Sequence, residues 1–171
     1  ADPMKHPKHM VGQSTFLPVE DVFRLMKESL PGLTNVGTAW NPAETNSRAF
    51  VMAARDVCRK LGITLLEANV DNTSGVVEAV QSVIARGAQA FWIPGDNVMM
   101  STIPTIVETI RRARIPGFSI SPGKPDRGTF LDVGLDFVEV GRLAGALAAS
   151  VLRGTEPATI PIRDVLDEVP K

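Results

Sequence analysis

Residues 35–62 read NVGTAW, then NPAETNS, then RAFVMAARDVCRKLG, and three kinds of chain follow one another within them. Asn35 to Trp40 reads as a strand. Asn41-Pro42-Ala43-Glu44-Thr45-Asn46-Ser47 is a polar loop. Beyond it Ala49, Phe50, Ala53, Ala54, Val57, Cys58 and Leu61 recur at helical spacing, and Gly62 stops the helix.

Working outward, the same order repeats. Residues 63–68 read as the next strand, and Val76, Val80, Val83 and Ile84 mark a helix capped by Ser74 or Thr73 and ended near Gly87. Ala90-Phe91-Trp92-Ile93 is a third strand, leading through Pro94-Gly95-Asp96-Asn97 into a helix that bears Ile103, Ile106, Val107 and Ile110. Pro104 lies well inside that helix if Asn97 caps it, which predicts a kink or a separate short first turn. Residues 117–120 read as a fourth strand, 121–128 as a loop rich in turn formers, and 130–135 as a fifth strand. Val140, Leu143, Ala144, Leu147, Ala148 and Val151 give the last helix. Upstream of the opening stretch, Pro18 starts a helix with Val22, Phe23, Met26 and Leu30 on one face, and Pro31-Gly32 ends it.

Strands alternating with helices at this spacing need crossover connections. The expected fold is therefore α/β: a doubly wound, mostly parallel sheet of about five strands with helices on both faces. The expected organisation is a vector-derived or irregular N-terminus and hinge over 1–13, a single α/β ligand-binding lobe over 14–162, and an irregular tail over 163–171. In such sheets ligands lie beyond the carboxyl ends of the strands, near the switch in strand order.

With 171 residues, 44% of them hydrophobic, the chain can bury the core of one domain. Its 18 basic and 19 acidic residues are spread along the sequence and give a net charge of -1, so neither nucleic acid nor an anionic membrane is an expected partner. No apolar run approaches the ~20 residues that span a bilayer, and the polypeptide is expected to be soluble. The single cysteine, Cys58, has no disulfide partner and reads as a buried, inert thiol.

Three strand ends carry short polar clusters. Asn46 and Ser47 stand at a helix start, where they serve either as caps or as groups beside free N–H donors that favour an anionic or carbonyl oxygen. Glu44 is a solvated loop carboxylate or a receptor for an ammonium or hydroxyl group. Asp96 with Asn97, and Asp136, follow the third and fifth strands as caps or as cleft-facing groups. Three such clusters at one edge point to a convergent site. No catalytic residue is expected: the two histidines, His6 and His9, lie in the irregular N-terminus, no metal-ligand spacing occurs, and the loop after Trp40 lacks any nucleotide-binding glycine pattern. No cofactor is expected.

Leu17-Pro18-Val19-Glu20, residues 40–47, Ile93-Pro94-Gly95-Asp96-Asn97, Val133-Gly134-Leu135-Asp136 with Gly141-Arg142, and residues 152–161 together resemble the substrate-binding proteins of ABC transporters. The branch is the one associated with aromatic amino acids, of the type I periplasmic-binding fold. The resemblance spans roughly residues 11–162. It implies a receptor about twice as long, of which this chain is the second lobe, with residues 14–18 at the hinge and solute held between two lobes that close on it. It implies cleft-facing roles for Asn46, Ser47, Asp96, Asn97 and Asp136, less firmly for Glu44, and more weakly for Ser119 and Ser121. Trp40 or Phe137 would contribute apolar contact or, in the plainer reading, core. The implied partners are a small solute such as an amino acid, the first lobe of the parent protein and an ABC permease. A homodimer of the isolated lobe is compatible with this. The implied location is periplasmic or extracytoplasmic, in a membrane-associated lipoprotein. The alternative expectation is a cytoplasmic ligand-sensing lobe of a transcription regulator or signalling protein.

Overall fold

The computed structural model describes residues 2–120 and 127–165. It divides into two compact units, one made of residues 17–134 and one made of residues 1–16 with 135–171.

The first unit holds the sheet. Its elements run α1 (Val19–Ser29), β1 (Asn35–Trp40), α2 (Thr45–Leu61), β2 (Thr64–Asn69), a 3-10 turn (Thr73–Gly75), α3 (Val76–Ala85), β3 (Ala90–Ile93), α4 (Asn97–Ser101), α5 (Ile103–Arg112), β4 (Gly117–Ser119) and β5 (Leu131–Asp132). The five strands are all parallel, in the order β2-β1-β3-β4-β5. Successive side chains alternate across a strand, so β1 and β3 feed two cores. Val36, Trp40, Ala90 and Trp92 face α1 and α2, where they meet Val22, Phe23, Met26, Phe50, Ala54 and Val57. Ala39, Phe91 and Ile93 face α3 and α5, against Val80, Val83, Ile103, Ile106 and Ile110. Burial on both faces is what a central parallel strand requires, and it explains why β3 is apolar at all four positions. The doubly wound α/β fold expected from the sequence is the fold found.

Local differences from the sequence expectation have physical causes. As expected, the chain leaves α2 at Gly62, with φ 66°, a left-handed turn that lets its N–H reach the Cys58 carbonyl. Asn72, rather than Ser74 or Thr73, accepts the N–H that opens the 3-10 turn before α3. Pro104 produces the separate short helix rather than a kink: α4 ends at Ser101, and Pro104 sits in the first turn of α5, where its missing N–H costs nothing. The fifth strand shrinks to two residues in register with β4, Leu131 and Asp132, flanked by Phe130 and Val133 N–H groups that donate to the Gly117 and Ser119 carbonyls.

The second unit carries α6 (Phe137–Leu152) and a parallel bridge in which Ser14 and Asp164 are joined through backbone and side chain, Ser14 Oγ donating to Asp164 Oδ2 at 2.8 Å. Ile162 N–H also donates to the Pro3 carbonyl, and His6 Nε2 lies 2.9 Å from the Ile160 carbonyl oxygen. The helix forms where its spacing predicts, yet none of its residues is fully buried.

Gly37 marks the closest approach of α3 to the sheet: a Cβ there would lie 2.7 Å from Val83 Cγ2 and 3.0 Å from Ala88 Cβ. Gly37→Ala is expected to lower stability by about 1–3 kcal/mol through overpacking. Urea unfolding reads this directly, and an unchanged midpoint would contradict the packing described.

Candidate functional site

The strand order reverses between β1 and β3, and the loops that leave these two strands meet at the carboxyl edge of the sheet. The loop after β1 is shaped by Asn41, whose side-chain oxygen accepts the Ala43 N–H at 2.9 Å to form an Asx turn. Its backbone carbonyl takes the Glu44 N–H at 3.2 Å. The chain then enters α2 at Thr45 with no side-chain cap. Asn46 and Ser47 therefore lie inside the first turn of α2 and do not cap it.

Asp96 joins the two loops. It is fully buried, and both carboxylate oxygens are used: Oδ1 accepts the Met99 N–H at 2.8 Å, while Oδ2 accepts the Ser47 hydroxyl at 2.9 Å and the Asn41 N–H at 3.4 Å. It thus caps α4 and holds the entrance of α2 with one group. Burial pushes its carboxyl above the ordinary 3.8, and the nearby Glu44 charge adds to this; the Met99, Ser47 and Asn41 donors pull the other way without cancelling it.

Around this buried bond lies a second, more exposed layer. Glu44 Oε2 accepts from Asn97 twice, from its N–H at 3.0 Å and from Nδ2 at 2.8 Å, so a residue of the first loop also closes the start of α4. Asn46 Nδ2 donates to the Gly95 carbonyl at 3.3 Å, and the residue itself is exposed. Arg48 spends its guanidinium on the Pro42 carbonyl and the Thr45 hydroxyl.

Five of the six expected site residues, Glu44, Asn46, Ser47, Asp96 and Asn97, thus form one bonded cluster. Asp136 belongs to the other unit, where its Oδ1 accepts the Val138 and Glu139 N–H groups and caps α6. Ser119 is fully buried at the end of β4, and Ser121 lies outside the described residues. Trp40 is core, its indole N–H donating to Glu67 Oε2 at 3.0 Å, and Phe137 is exposed at the first position of α6. Asn41 is the residue that spacing alone did not single out, although the Asn-Pro pair at 41–42 is a turn signal.

Other chemistry has little to work with. The Cys58 thiol is buried and pushed up to about 12, chiefly by burial, which leaves it inert as a nucleophile at neutral pH. Among the described residues, no cluster of His, Cys, Asp and Glu could hold a metal ion, and no helix is long and apolar enough to cross a membrane.

A family model described as ABC transporter substrate binding protein matches residues 2–168. The chain belongs to that family. A relative of this chain, a tyrosine-binding protein of Clostridioides difficile (strain R20291), is 27% identical over 157 residues, which are 92% of this chain and 45% of that protein. The crystal structure of a conserved domain protein from Vibrio cholerae superposes with a TM-score of 0.80 at 28% identity, covering 91% of this chain and 52% of its own. An ABC domain from Streptococcus pneumoniae, solved in complex with L-Trp, shares the fold with a TM-score of 0.74 at 24% identity, over 90% of this chain and 52% of its own. This family member therefore spans about half the length of the relatives it matches.

The Asp96 staple makes a signed prediction. Asp96→Asn removes one acceptor from a buried network and is expected to cost about 1–3 kcal/mol at pH 7. Because burial raises the native carboxyl above its unfolded value of 3.8, the folded wild type binds the proton more tightly than the unfolded chain does. Wild type gains stability as pH falls through the raised value toward 3.8, and the variant lacks this gain. The deficit of Asp96→Asn should therefore widen from pH 7 to pH 4 in paired denaturation curves. A constant or shrinking deficit would contradict the assignment.

Proposed function

We propose that this chain forms one wall of an interlobe cleft in an ABC-transporter receptor and that the solute is an amino acid, most simply an aromatic one. The observation that carries the reading is the pair of loops at the strand-order switch, locked to each other through Asp96 while the N-terminus of α2 is left without a side-chain cap. Free N–H groups in the first turn and the positive end of the helix dipole suit a carboxylate. Beside them, the exposed Asn46 and the Glu44 carboxylate suit an ammonium group. Asp96 and Ser47 act in this reading as positioning residues, since both are fully buried. The tyrosine-binding and L-Trp-bound relatives support an aromatic amino acid as the solute.

Helix α6 supports the presence of a second lobe. Leu143, Leu147 and Val151 are only partly covered, and Leu152 is 88% exposed. A 16-residue helix with no buried residue has not completed its packing. We assign its partner to the first lobe of the parent protein, which accounts for the length that the relatives have in excess of this chain. An ABC permease as the acceptor of the loaded receptor, and an extracytoplasmic, lipid-anchored parent, follow from the same reading.

The test is titration calorimetry of the full-length two-lobed protein against the amino acids and a set of sugars. Saturable binding of L-tyrosine or L-tryptophan is expected. Asn46→Ala should weaken it about three- to tenfold, the net worth of one hydrogen bond. Binding of no amino acid would sink the proposal.

A further inference from the structure

Four helices of this chain close in the same way. Ile63, Ala88, Ile115 and Thr155 each donate an N–H to a carbonyl five residues back, on Cys58, Val83, Ile110 and Ser150. Such a bond needs a left-handed residue just before the donor. After α2, α3 and α6 that residue is a glycine, Gly62 (φ 66°), Gly87 (φ 92°) and Gly154 (φ 102°). After α5 it is Arg114, at φ 58°, the one residue other than glycine with a positive φ among those described. L side chains are disfavoured in this region, whereas glycine enters it freely. Complementing the helix dipole does not account for the arginine, because Arg111 and Arg112 already stand in the last turn of α5. Arg114 is exposed, and its guanidinium is bonded to no described residue.

The surroundings of Arg114 give it a use. It lines a groove of about 500 Å³ at the amino edge of the sheet, by the end of α5 and the starts of β4 and β5. Arg111 lines the same groove, and a Cβ on Gly128 would lie 2.8 Å from its Nη2, so a residue without a side chain makes room for this guanidinium. The Arg111 side chain also has no partner among the described residues, whereas the neighbouring Arg112 is paired with Glu108. No acidic residue lines the groove among those described. Much of its wall is apolar, from Ile110, Ile115, Pro116 and Phe130. The Phe130 ring stacks against buried Phe118, 5.3 Å between centroids, yet Phe130 is 59% exposed.

We propose that this groove is the docking site for an acidic segment of a partner protein, in which a carboxylate meets Arg111 and Arg114 and an adjoining apolar side chain covers Phe130. Charge complementarity fixes the first half: two unpaired guanidiniums with no acid beside them call for a carboxylate, which arginine binds through paired hydrogen bonds. The bare ring of Phe130 fixes the second, because covering it removes apolar surface from water. A groove receives a side chain, whereas a flat bilayer would touch only its rim, and a net charge of -1 gives the chain no general attraction to anionic lipid. The left-handed arginine is then strain retained at a binding surface. The groove lies at the opposite end of the strands from the Asp96 loops, so the inference stands apart from the solute reading.

The experiment selects a display library of short random peptides on the immobilised full-length protein and titrates the most enriched peptide by calorimetry. Enriched peptides are expected to combine a carboxylate with an apolar side chain, and their affinity should fall as salt is raised. Replacing their carboxylates by amides should weaken binding about tenfold, the worth of a hydrogen bond to a charged group. Arg114→Gly should weaken it about five- to tenfold on the same grounds. The thermal midpoint of that variant should be no lower than that of wild type, since relief of the left-handed strain offsets the added freedom of the unfolded chain. An arginine that serves only the fold would lower the midpoint on removal and leave peptide binding unchanged. Recovery of no peptide, of peptides without carboxylates, or of peptides that bind Arg114→Gly as tightly as wild type overturns the proposal, and so does a lowered midpoint. Phosphatidylglycerol vesicles are the second probe: co-sedimentation that Arg114→Gly abolishes overturns the protein partner in favour of a lipid surface.

Discussion

The buried carboxylate of Asp96 is the constraint on which the edge of the sheet depends. A charge fully removed from water is tolerated only where donors surround it, and Asp96 finds a hydroxyl and two backbone N–H groups. Those donors come from the loop after β1, the first turn of α2 and the first turn of α4. One side chain therefore fixes three pieces of chain that no strand ladder connects. Burial raises its protonation point, and the donors offset this only in part.

That geometry is possible only because of the strand order. In the order β2-β1-β3-β4-β5, β1 and β3 are neighbours although α2, β2 and α3 separate them in sequence. The crossover through β2 leaves α2 packed on one face and α3 on the other, and the loops leaving β1 and β3 meet where the strand order turns. Ser47 and Asp96, 49 residues apart in the chain, meet there in a buried hydrogen bond. Glu44 and Asn97 repeat the connection one layer nearer to solvent. The outer pair would drift without the inner one, because neither loop has other long-range bonds of comparable burial.

How much of this could be read in the sequence depends on the range of the interaction. β1 and β3 were legible to the residue, since an apolar run flanked by turn formers needs no distant partner to be recognised, and the end of α2 at Gly62 was legible because a left-handed residue is a local demand. Helix starts were less so. Asn46 and Ser47 look like caps by composition, but the start of α2 at Thr45 is set by the Asn41 turn upstream, and Ser47 is drawn inward by Asp96. The cluster of Glu44, Asn46, Ser47, Asp96 and Asn97 was foreseen as residues at one edge, whereas the split between buried staple and outward layer was not. That split depends on which oxygen meets which donor, a matter of ångströms that spacing does not encode.

The chain thus divides its polar groups by whether their bonds are already made. Groups whose partners lie within the unit, such as Asp96, Ser47 and the Trp40–Glu67–Arg55 contact, are parts of the scaffold, because a ligand would have to break an existing bond to use them. Groups with an unfilled valence, such as the first-turn N–H groups of α2, gain from any partner that supplies the complement. Helix α6 obeys the same logic in apolar form, with side chains at helical spacing and nothing yet buried. The satisfied groups are thereby committed to holding the loops in place, and only the unfilled ones keep capacity for another partner.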